Sequence, residues 1–358
     1  MPDPILDREF AVPAMRALFQ RRVEGDEALL RLAKLRFREA GLAAEVYAHT
    51  SAELDRILHF VPLEHGLPSV HMRRDLDLMT HSGQMVVEEF AAKFSGRVSG
   101  LVVHDTAQMA NRLPEFVALM RQFSSQLQAI PECPTVFVEY AAGTEPERFI
   151  DLGRQLQNLD HMSVCIDSGH IGIRQAHSFF AAENPGLELR DYQNDHTGLR
   201  HVVEDVQRAV ESALPTVLDM TRALTAPGKT LHFHLHDGHP LIPGLPDHFS
   251  FLRRLPVRFT YQGRRSLDPL YGPTGLAAIL TTATQAALEN QGRTSFTLEI
   301  HQADGRLPLA DAAPLFRNWP DRTNAERMNY WLSVLSENSI LATAALRAAL
   351  TDAVPAHA

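Results

Sequence analysis

Cysteine is scarce in this chain of 358 residues, and long apolar runs are absent. The two cysteines, Cys133 and Cys165, are too few for a disulfide framework or a thiolate metal site. A reducing cytoplasm suits them. The first ten residues are acidic and lack an apolar signal core, and no uninterrupted apolar run approaches the roughly 18 residues that a membrane span needs. We therefore expect a cytoplasmic protein that has no membrane partner.

Lysine is equally rare, with only Lys34, Lys93 and Lys229 in the chain. Lys229 opens a strand-like run, at the end opposite the expected active site, so a Schiff-base enzyme is not indicated. The GKT sequence at 228–230 lacks the first glycine of a phosphate-binding loop and leads into a strand, so a P-loop enzyme is not indicated either. The formal net charge of -9 and the pI near 6.0 disfavour a nucleic acid partner. We expect a small-molecule substrate instead.

Short apolar runs that close on an acidic residue or a histidine are the main positive feature. Because strand side chains alternate between two faces, each run can send apolar residues outward and polar residues inward. In the run 231–236 three apolar residues share one face and three histidines share the other, namely Leu231, Phe233 and Leu235 against His232, His234 and His236. Five other runs follow this rule, and their inward-facing polar residues near the carboxyl end include His71, His104, Glu139, Asp167 and Glu299.

The order of elements predicts an α/β fold, a TIM (β/α)8-type barrel with long insertions and extra terminal helices. Seven strand-like runs alternate with helix-like stretches at about 42–48, 68–73, 98–104, 134–140, 162–167, 229–236 and 294–300. An eighth strand could lie in the poorly patterned first residues, or the barrel could be irregular. We expect one domain over 1–358, with two N-terminal helices in 1–40, the barrel in 41–320 and a helical segment in 321–358.

Two long insertions are expected in the barrel, at 171–228 and 238–273. The first contains an amphipathic helix at about 199–224, which suits a lid or an oligomer contact, so a homo-oligomer is one possible state. The second carries five arginines in an otherwise acidic chain. Among them we select Arg264 and Arg265 as candidates to bind a phosphate or carboxylate of the substrate, although a solvated loop is an equally good interpretation.

Carboxylates and imidazoles gathered at one barrel mouth indicate a divalent metal, because burying them together without a cation is costly. Mixed nitrogen and oxygen ligands favour Mn, Zn or Co, with Fe also possible.

The motifs VFVEYAAG, VCIDSGHIG and HFHLHDG, in this order at strand ends, resemble the xylose isomerase-like TIM barrels, which include sugar isomerases, epimerases and endonuclease IV. The resemblance covers roughly residues 65–300. It implies a metal held by Glu139, Asp167, His234 and Glu299. It also implies that His170 contacts substrate or a second metal, and that His71 and His104 match additional metal ligands of the endonuclease branch.

The leading hypothesis from this resemblance is a metal-dependent isomerase or epimerase of a sugar or sugar derivative. The metal would stabilise an enediolate, Glu139 and Glu299 would shuttle the proton, and His170 or His232 would orient hydroxyl groups. Three alternatives stay open. They are a hydrolase of phosphoesters with two or three metals, a metal-dependent lyase or oxidase, and a barrel that keeps its metal only as a scaffold.

Overall fold

A closed barrel of eight parallel strands forms the centre of the structure, a computed structural model that describes residues 13, 15–20, 26–141, 144–301 and 323–353. The barrel strands are β1 (Met15–Leu18), β2 (Ala43–Ala48), β3 (Ser69–Met72), β4 (Gly100–His104), β5 (Thr135–Glu139), β6 (Met162–Asp167), β7 (Thr230–Leu235) and β10 (Arg293–Leu298). Each pairs in parallel with both neighbours, and β1 closes the ring between β2 and β10. The predicted TIM barrel is confirmed.

Helices surround the barrel in the alternating order that the sequence predicts. They are α1 (Glu27–Glu39), α2 (Ser51–Leu58), α3 (His81–Lys93), α4 (Ala107–Asn111), α5 (Leu113–Leu127), α6 (Pro146–Leu156), α7 (Ser168–Glu183), α8 (Leu199–Glu211), α9 (Ala213–Leu224), α10 (Gly272–Glu289) and α11 (Asn324–Ala353). The outward strand residues and the inner helix faces form one large apolar core, which includes Val46, Val164 and Phe233. None of the helices in the described ranges is long and apolar enough to cross a membrane.

The N-terminal region differs from the expectation of two helices. Residues 15–18 form strand β1, which is the missing eighth strand, and only Glu27–Glu39 is helical among the described residues of this region. Strand β1 has four residues and no clear alternation, since Met15, Ala17 and Leu18 are all buried. Its pairing with two neighbouring strands decides its conformation. Residues 1–12, 14 and 21–25 of the predicted helical segment lie outside the described residues.

The predicted long helix at 199–224 is two helices, α8 and α9, which meet at Ser212. Pro215 in the first turn of α9 has no N–H and cannot continue a helix from α8. Helix α9 packs with α6, α7 and α10 in the outer layer, so this part of the first insertion belongs to the barrel wall. The insertion proper consists of a 3-10 helix (Leu189–Gln193) and α8.

The second insertion contains an antiparallel hairpin of β8 (Leu255–Tyr261) and β9 (Arg264–Leu267), which the sequence did not predict. The two insertions share a small apolar core beside α7. Its members include Phe180, Leu199, Val206, Ile242, Phe249 and Leu267. The insertions therefore form one packed unit on the outside of α7.

Helix α11 supports the end of β10, because Trp331 is fully buried and its indole Nε1 donates a hydrogen bond to the carbonyl of Ile300 at 2.8 Å. We expect Trp331→Ala to lower the free energy of unfolding by about 3–5 kcal/mol through the cavity and the lost contacts. Urea unfolding followed by circular dichroism measures this change. Ile340→Ala, at a position 68% exposed on the same helix, is the matched control and should cost little. Equal stability of the two variants would contradict the supporting role of Trp331.

Candidate metal centre

A cavity of about 580 Å³ lies at the carboxyl ends of the barrel strands, where TIM barrel enzymes carry their active groups. Its wall contains residues from most of the strands, including Tyr47, His71, His104, Glu139, Glu299 and His301. Four of these six side chains are buried, and Tyr47 and His104 are partly exposed. The alternation of faces in each strand brings them to one place, as the sequence predicted.

Four predicted ligands, Glu139, Asp167, His234 and Glu299, meet at the base of this cavity. Each offers a ligand atom, and these atoms all lie within 4.8 Å of one another. His234 Nδ1 is 3.1 Å from Glu139 Oε1 and 3.0 Å from Glu299 Oε2. The four residues can hold a metal ion.

Both ring nitrogens of His234 face carboxylates, and this arrangement explains why a cation fits here. Its Nδ1 faces Glu139 and Glu299, while its Nε2 lies 2.9 Å from Glu45 Oε1. A neutral imidazole carries only one N–H, so it cannot satisfy carboxylates at both nitrogens. A metal ion at Nδ1, with the hydrogen of Nε2 directed at Glu45, would satisfy both sides.

A second group lies on the other side of Glu139. His71 Nε2 and His104 Nε2 are 3.2 and 3.3 Å from Glu139 Oε2, and 3.4 Å from each other. Two ligand atoms of one tetrahedral ion with bonds of about 2.1 Å lie about 3.4 Å apart. The three distances therefore match the edges of a coordination shell. Glu139 Oε2 is buried and accepts no hydrogen bond, which leaves its lone pairs for a cation.

A third group surrounds Asp167 and contains His170, His236 and His248, again with ligand atoms within 4.8 Å. His170 Nδ1 is 3.4 Å from Asp167 Oδ2, and its Nε2 is 3.4 Å from Asp247 Oδ2. The chain thus places three ligand groups side by side, and Glu139 and Asp167 each belong to two of them.

His236 has a different role from that of the other histidines of the third group. The backbone N–H of His248 donates to its Nδ1 at 2.9 Å, so its Nε2 carries the hydrogen, 2.9 Å from Asp167 Oδ1. His236 therefore orients Asp167 as a donor. Gly169 allows this contact, because a Cβ at that position would lie 2.1 Å from the ring of His236.

The charges of the centre shift the pKa values of its groups in opposite directions. Burial raises the pKa of Glu139, but the neighbouring His234, His71 and His104 outweigh it and hold this pKa well below its usual range. Burial lowers the pKa of His71, but Glu139 outweighs it and raises this pKa to about 9. Protons on the histidines thus occupy the place of a cation, and metal binding would displace them.

Glu45 on β2 is a site residue that the sequence interpretation missed. It is fully buried, and its Oε2 accepts hydrogen bonds from Ser69 Oγ at 2.6 Å and Thr297 Oγ1 at 3.0 Å. These contacts fix Glu45 Oε1 beside His234 Nε2. Such a carboxylate behind a metal-binding histidine orients the ring and raises its basicity. The alternation in β2 could have shown it, because Ala44, Val46 and Ala48 all face the outer core.

Tyr47, two residues further along β2, was also missed. Its hydroxyl donates a hydrogen bond to Glu299 Oε1 at 2.7 Å. The hydroxyl holds this carboxylate oxygen in the cavity wall, where Gln20, His49 and Arg73 also lie.

Three predicted substrate-contacting residues do not reach the cavity wall. His232 lies deeper in the barrel, 1% exposed, with its Nε2 3.2 Å from Glu45 Oε2 and its Nδ1 2.6 Å from Ser295 Oγ. Arg264 and Arg265 are exposed on β9, outside the cavity wall. By contrast, His170 and Asp247 lie in this wall.

Comparisons with known proteins do not identify a family for this chain. No family model matches the chain, and no curated protein matches it. A solved structure described as "The crystal structure of AsfvAP:AG" is 12% identical, with 92% of this chain and 99% of that chain covered and a TM-score of 0.44. A Thermobacillus composti GH10 xylanase is 13% identical, with 90% and 97% covered and a TM-score of 0.39. Such distant likenesses carry no argument about function, and membership of the xylose isomerase-like family stays a prediction.

The position of Glu45 can be tested through metal affinity. We expect Glu45→Gln to weaken zinc binding roughly 10- to 100-fold, because the ring of His234 loses its anionic partner. Competition with a chromophoric chelator measures the affinity. The matched control is Glu64→Gln, which removes an exposed carboxylate that pairs with Arg38. Wild-type affinity in the Glu45 variant would show that this carboxylate does not support the ligand.

Proposed function

We propose that this protein is a divalent-metal-dependent enzyme whose centre holds more than one ion, and that it hydrolyses a phosphoester of a small molecule such as a sugar derivative. The observation that carries the proposal is the position of Glu139 between two groups of nitrogen donors. Its Oε1 faces His234, and its Oε2 faces His71 and His104. A carboxylate placed in this way is suited to bridge two ions.

The bridging position argues against the proton shuttle of the isomerase hypothesis. A shuttle needs a carboxylate with an oxygen free to take a proton from carbon. If both oxygens of Glu139 bind ions, neither is available. The histidines beyond the four-ligand set also exceed what a single-ion isomerase requires, and the geometry favours the polynuclear alternative.

Ions bound in these groups would supply Lewis-acid activation of water and of the oxygens around phosphorus. The chain would contribute the orientation of the reacting groups. Tyr47 holds Glu299 Oε1 at the cavity surface, and His248 Nε2 and His301 Nε2 lie 3.7 and 3.5 Å from the same oxygen. These contacts fix Glu299 in the cavity wall. Asp167, oriented by His236, lies behind this wall with an oxygen within 4.8 Å of a Glu299 oxygen.

A small-molecule substrate fits the cavity better than a nucleic acid does. A volume of about 580 Å³ is in the range of small-ligand pockets. The net charge of -9 gives no general attraction for a phosphate backbone.

The isomerase or epimerase of a sugar is the second candidate. It is favoured by the convergence of Glu139 Oε1 and Glu299 Oε2 on His234 Nδ1, the arrangement expected when one ion is held between two catalytic carboxylates. Under this alternative His71 and His104 would bind substrate hydroxyl groups.

Metal content separates the two candidates. We expect two or three Zn, Mn or Fe ions per chain in protein purified without added metal, measured by elemental analysis. His71→Ala should lose about one ion per chain, because it removes a nitrogen donor from the group that contains Glu139 Oε2. His201→Ala, at an exposed position on α8, is the control. One ion per chain, unchanged by His71→Ala, would support the isomerase alternative.

Turnover gives an independent test of the proposal. We expect the metal-loaded protein to release phosphate or alcohol from a panel of small phosphomonoesters and phosphodiesters. Glu299→Gln should lower kcat by at least about 100-fold, because the negative charge and one of the two acceptor oxygens are lost. Colorimetric assays measure hydrolysis, and chromatography of aldoses and ketoses measures isomerisation. Interconversion of sugars without hydrolysis, or an unaffected Glu299→Gln variant, would overturn the proposal.

A further inference from the structure

A side groove of about 440 Å³ lies beside the metal cavity along α7. The two spaces share Ala141, His170 and Asp247 in their walls. Beyond His170 the groove is lined by residues of α7 and of the 3-10 helix in the first insertion, namely Ile173, Arg174, His177, Arg190 and Gln193. A molecule bound over the metal centre would therefore lie directly beside the groove, with His170 and Asp247 between the two spaces.

Two arginines lie in the wall of the groove, each beside an exposed glutamate, and Asp247 lies at the end next to the metal cavity. Arg174 projects from α7, and Arg190 comes from the 3-10 helix. Arg174 pairs with Glu145, and Arg190 Nε lies 2.5 Å from Glu188 Oε2. All four side chains are substantially exposed, between 39% and 72%, and exposed ion pairs of this kind contribute about 0–1 kcal/mol. An anionic ligand can replace either glutamate at little cost.

Two details concern the side chains of this wall. Arg174 Nε is buried and makes no hydrogen bond, while the Arg174 side chain as a whole is 39% exposed beside Glu145. His177 lies in the same wall, and burial together with the charges of Arg190 and Arg174 lowers its pKa. A neutral imidazole in this wall adds no charge of its own and can still donate one hydrogen bond.

We propose that this groove is a subsite for a second anionic group of the substrate, a phosphate or a carboxylate, which anchors the molecule while its reacting bond lies over the metal centre. This inference rests on the proposed function and deepens it, because it specifies a substrate with a charged group remote from the reacting bond. The planar forks of Arg174 and Arg190 suit the paired oxygens of such a group. The sequence predicted an arginine subsite at Arg264 and Arg265, but the groove places it at Arg174 and Arg190.

Another pair of arginines offers a direct alternative. Arg73 and Arg74 lie in the wall of the metal cavity itself, at the end of β3, and Arg73 Nε is 3.2 Å from Asp75 Oδ1. An anion bound by this pair would approach from β3 and would leave the environment of His177 unchanged. The two locations can thus be separated by experiment.

The test uses zinc-loaded protein, with inorganic phosphate and acetate as separate probes. Calorimetry measures affinity, and NMR of protein labelled with 13C-histidine follows the Cε1–H signal of His177, assigned with His177→Gln. We expect phosphate to shift this signal, and Arg174→Gln/Arg190→Gln to weaken the binding that causes the shift roughly 10- to 100-fold, since hydrogen bonds to charged groups are lost. Binding of acetate with the same response would assign the subsite to a carboxylate.

The controls are Arg264→Gln/Arg265→Gln on the hairpin and Arg73→Gln/Arg74→Gln at β3. Unchanged phosphate binding and an unchanged His177 shift in the Arg174/Arg190 double variant would overturn the proposal. Loss of phosphate binding only in the Arg73/Arg74 variant would also overturn it. The single variant Arg190→Gln, at a highly exposed position, repeats the test if the double variant is unstable.

Metal content and phosphoester turnover are measured separately on the same wild-type protein. A single ion per chain, or the absence of hydrolysis, would remove the proposed function. The response of His177 to phosphate would still decide whether the groove binds anions.

Discussion

The imidazole of His234 stands between three buried carboxylates, and the rest of the centre depends on this contact. Glu45 lies behind the ring, and Glu139 and Glu299 lie in front of it. Three carboxylates at this depth repel one another, and each has lost its hydration. Positive charge must therefore reside among them. The many histidines around these carboxylates meet this requirement. Protonated imidazoles carry positive charge, and neutral imidazoles can bind metal ions that carry it instead.

The barrel accommodates these buried charges by keeping them apart from the apolar core. Each strand directs one set of side chains to the helices and the other to the barrel interior, so the apolar core and the polar centre use alternate residues of the same strands. In β2 the outward residues are Ala44, Val46 and Ala48, while Glu45 and Tyr47 contact the centre. Substitutions that shift a strand by one residue would exchange the two sets. The register is thus as important for the candidate metal centre as for the fold.

The insertions extend the centre in a direction that the barrel alone does not provide. Their shared apolar core holds the 3-10 helix against α7 and brings Arg190 to the groove beside His170. In a chain with net charge -9, Arg174 and Arg190 thus lie in one groove next to the carboxylates and imidazoles of the cavity. Local placement of two arginines can attract an anion where the overall charge does not, because charges beyond a Debye length are screened.

The sequence by itself determined the barrel strands other than β1, the inward direction of their polar residues, and the gathering of carboxylates and imidazoles at one end of the barrel, while the family resemblance implied the set of Glu139, Asp167, His234 and Glu299. The first three features follow from alternation within a strand and from the common edge of parallel strands, both of which are local rules.

Only the tertiary structure decided what depends on distant partners. Strand β1 gains its conformation by pairing with β2 and β10. His232 is withdrawn from the cavity because it lies deeper along β7, beside Glu45 and Ser295. His236 orients Asp167 because a backbone N–H from the second insertion occupies its Nδ1. Arg174 and Arg190 come together because the 3-10 helix of the first insertion packs against α7. No local pattern contains that information, since the packing joins residues far apart in the chain.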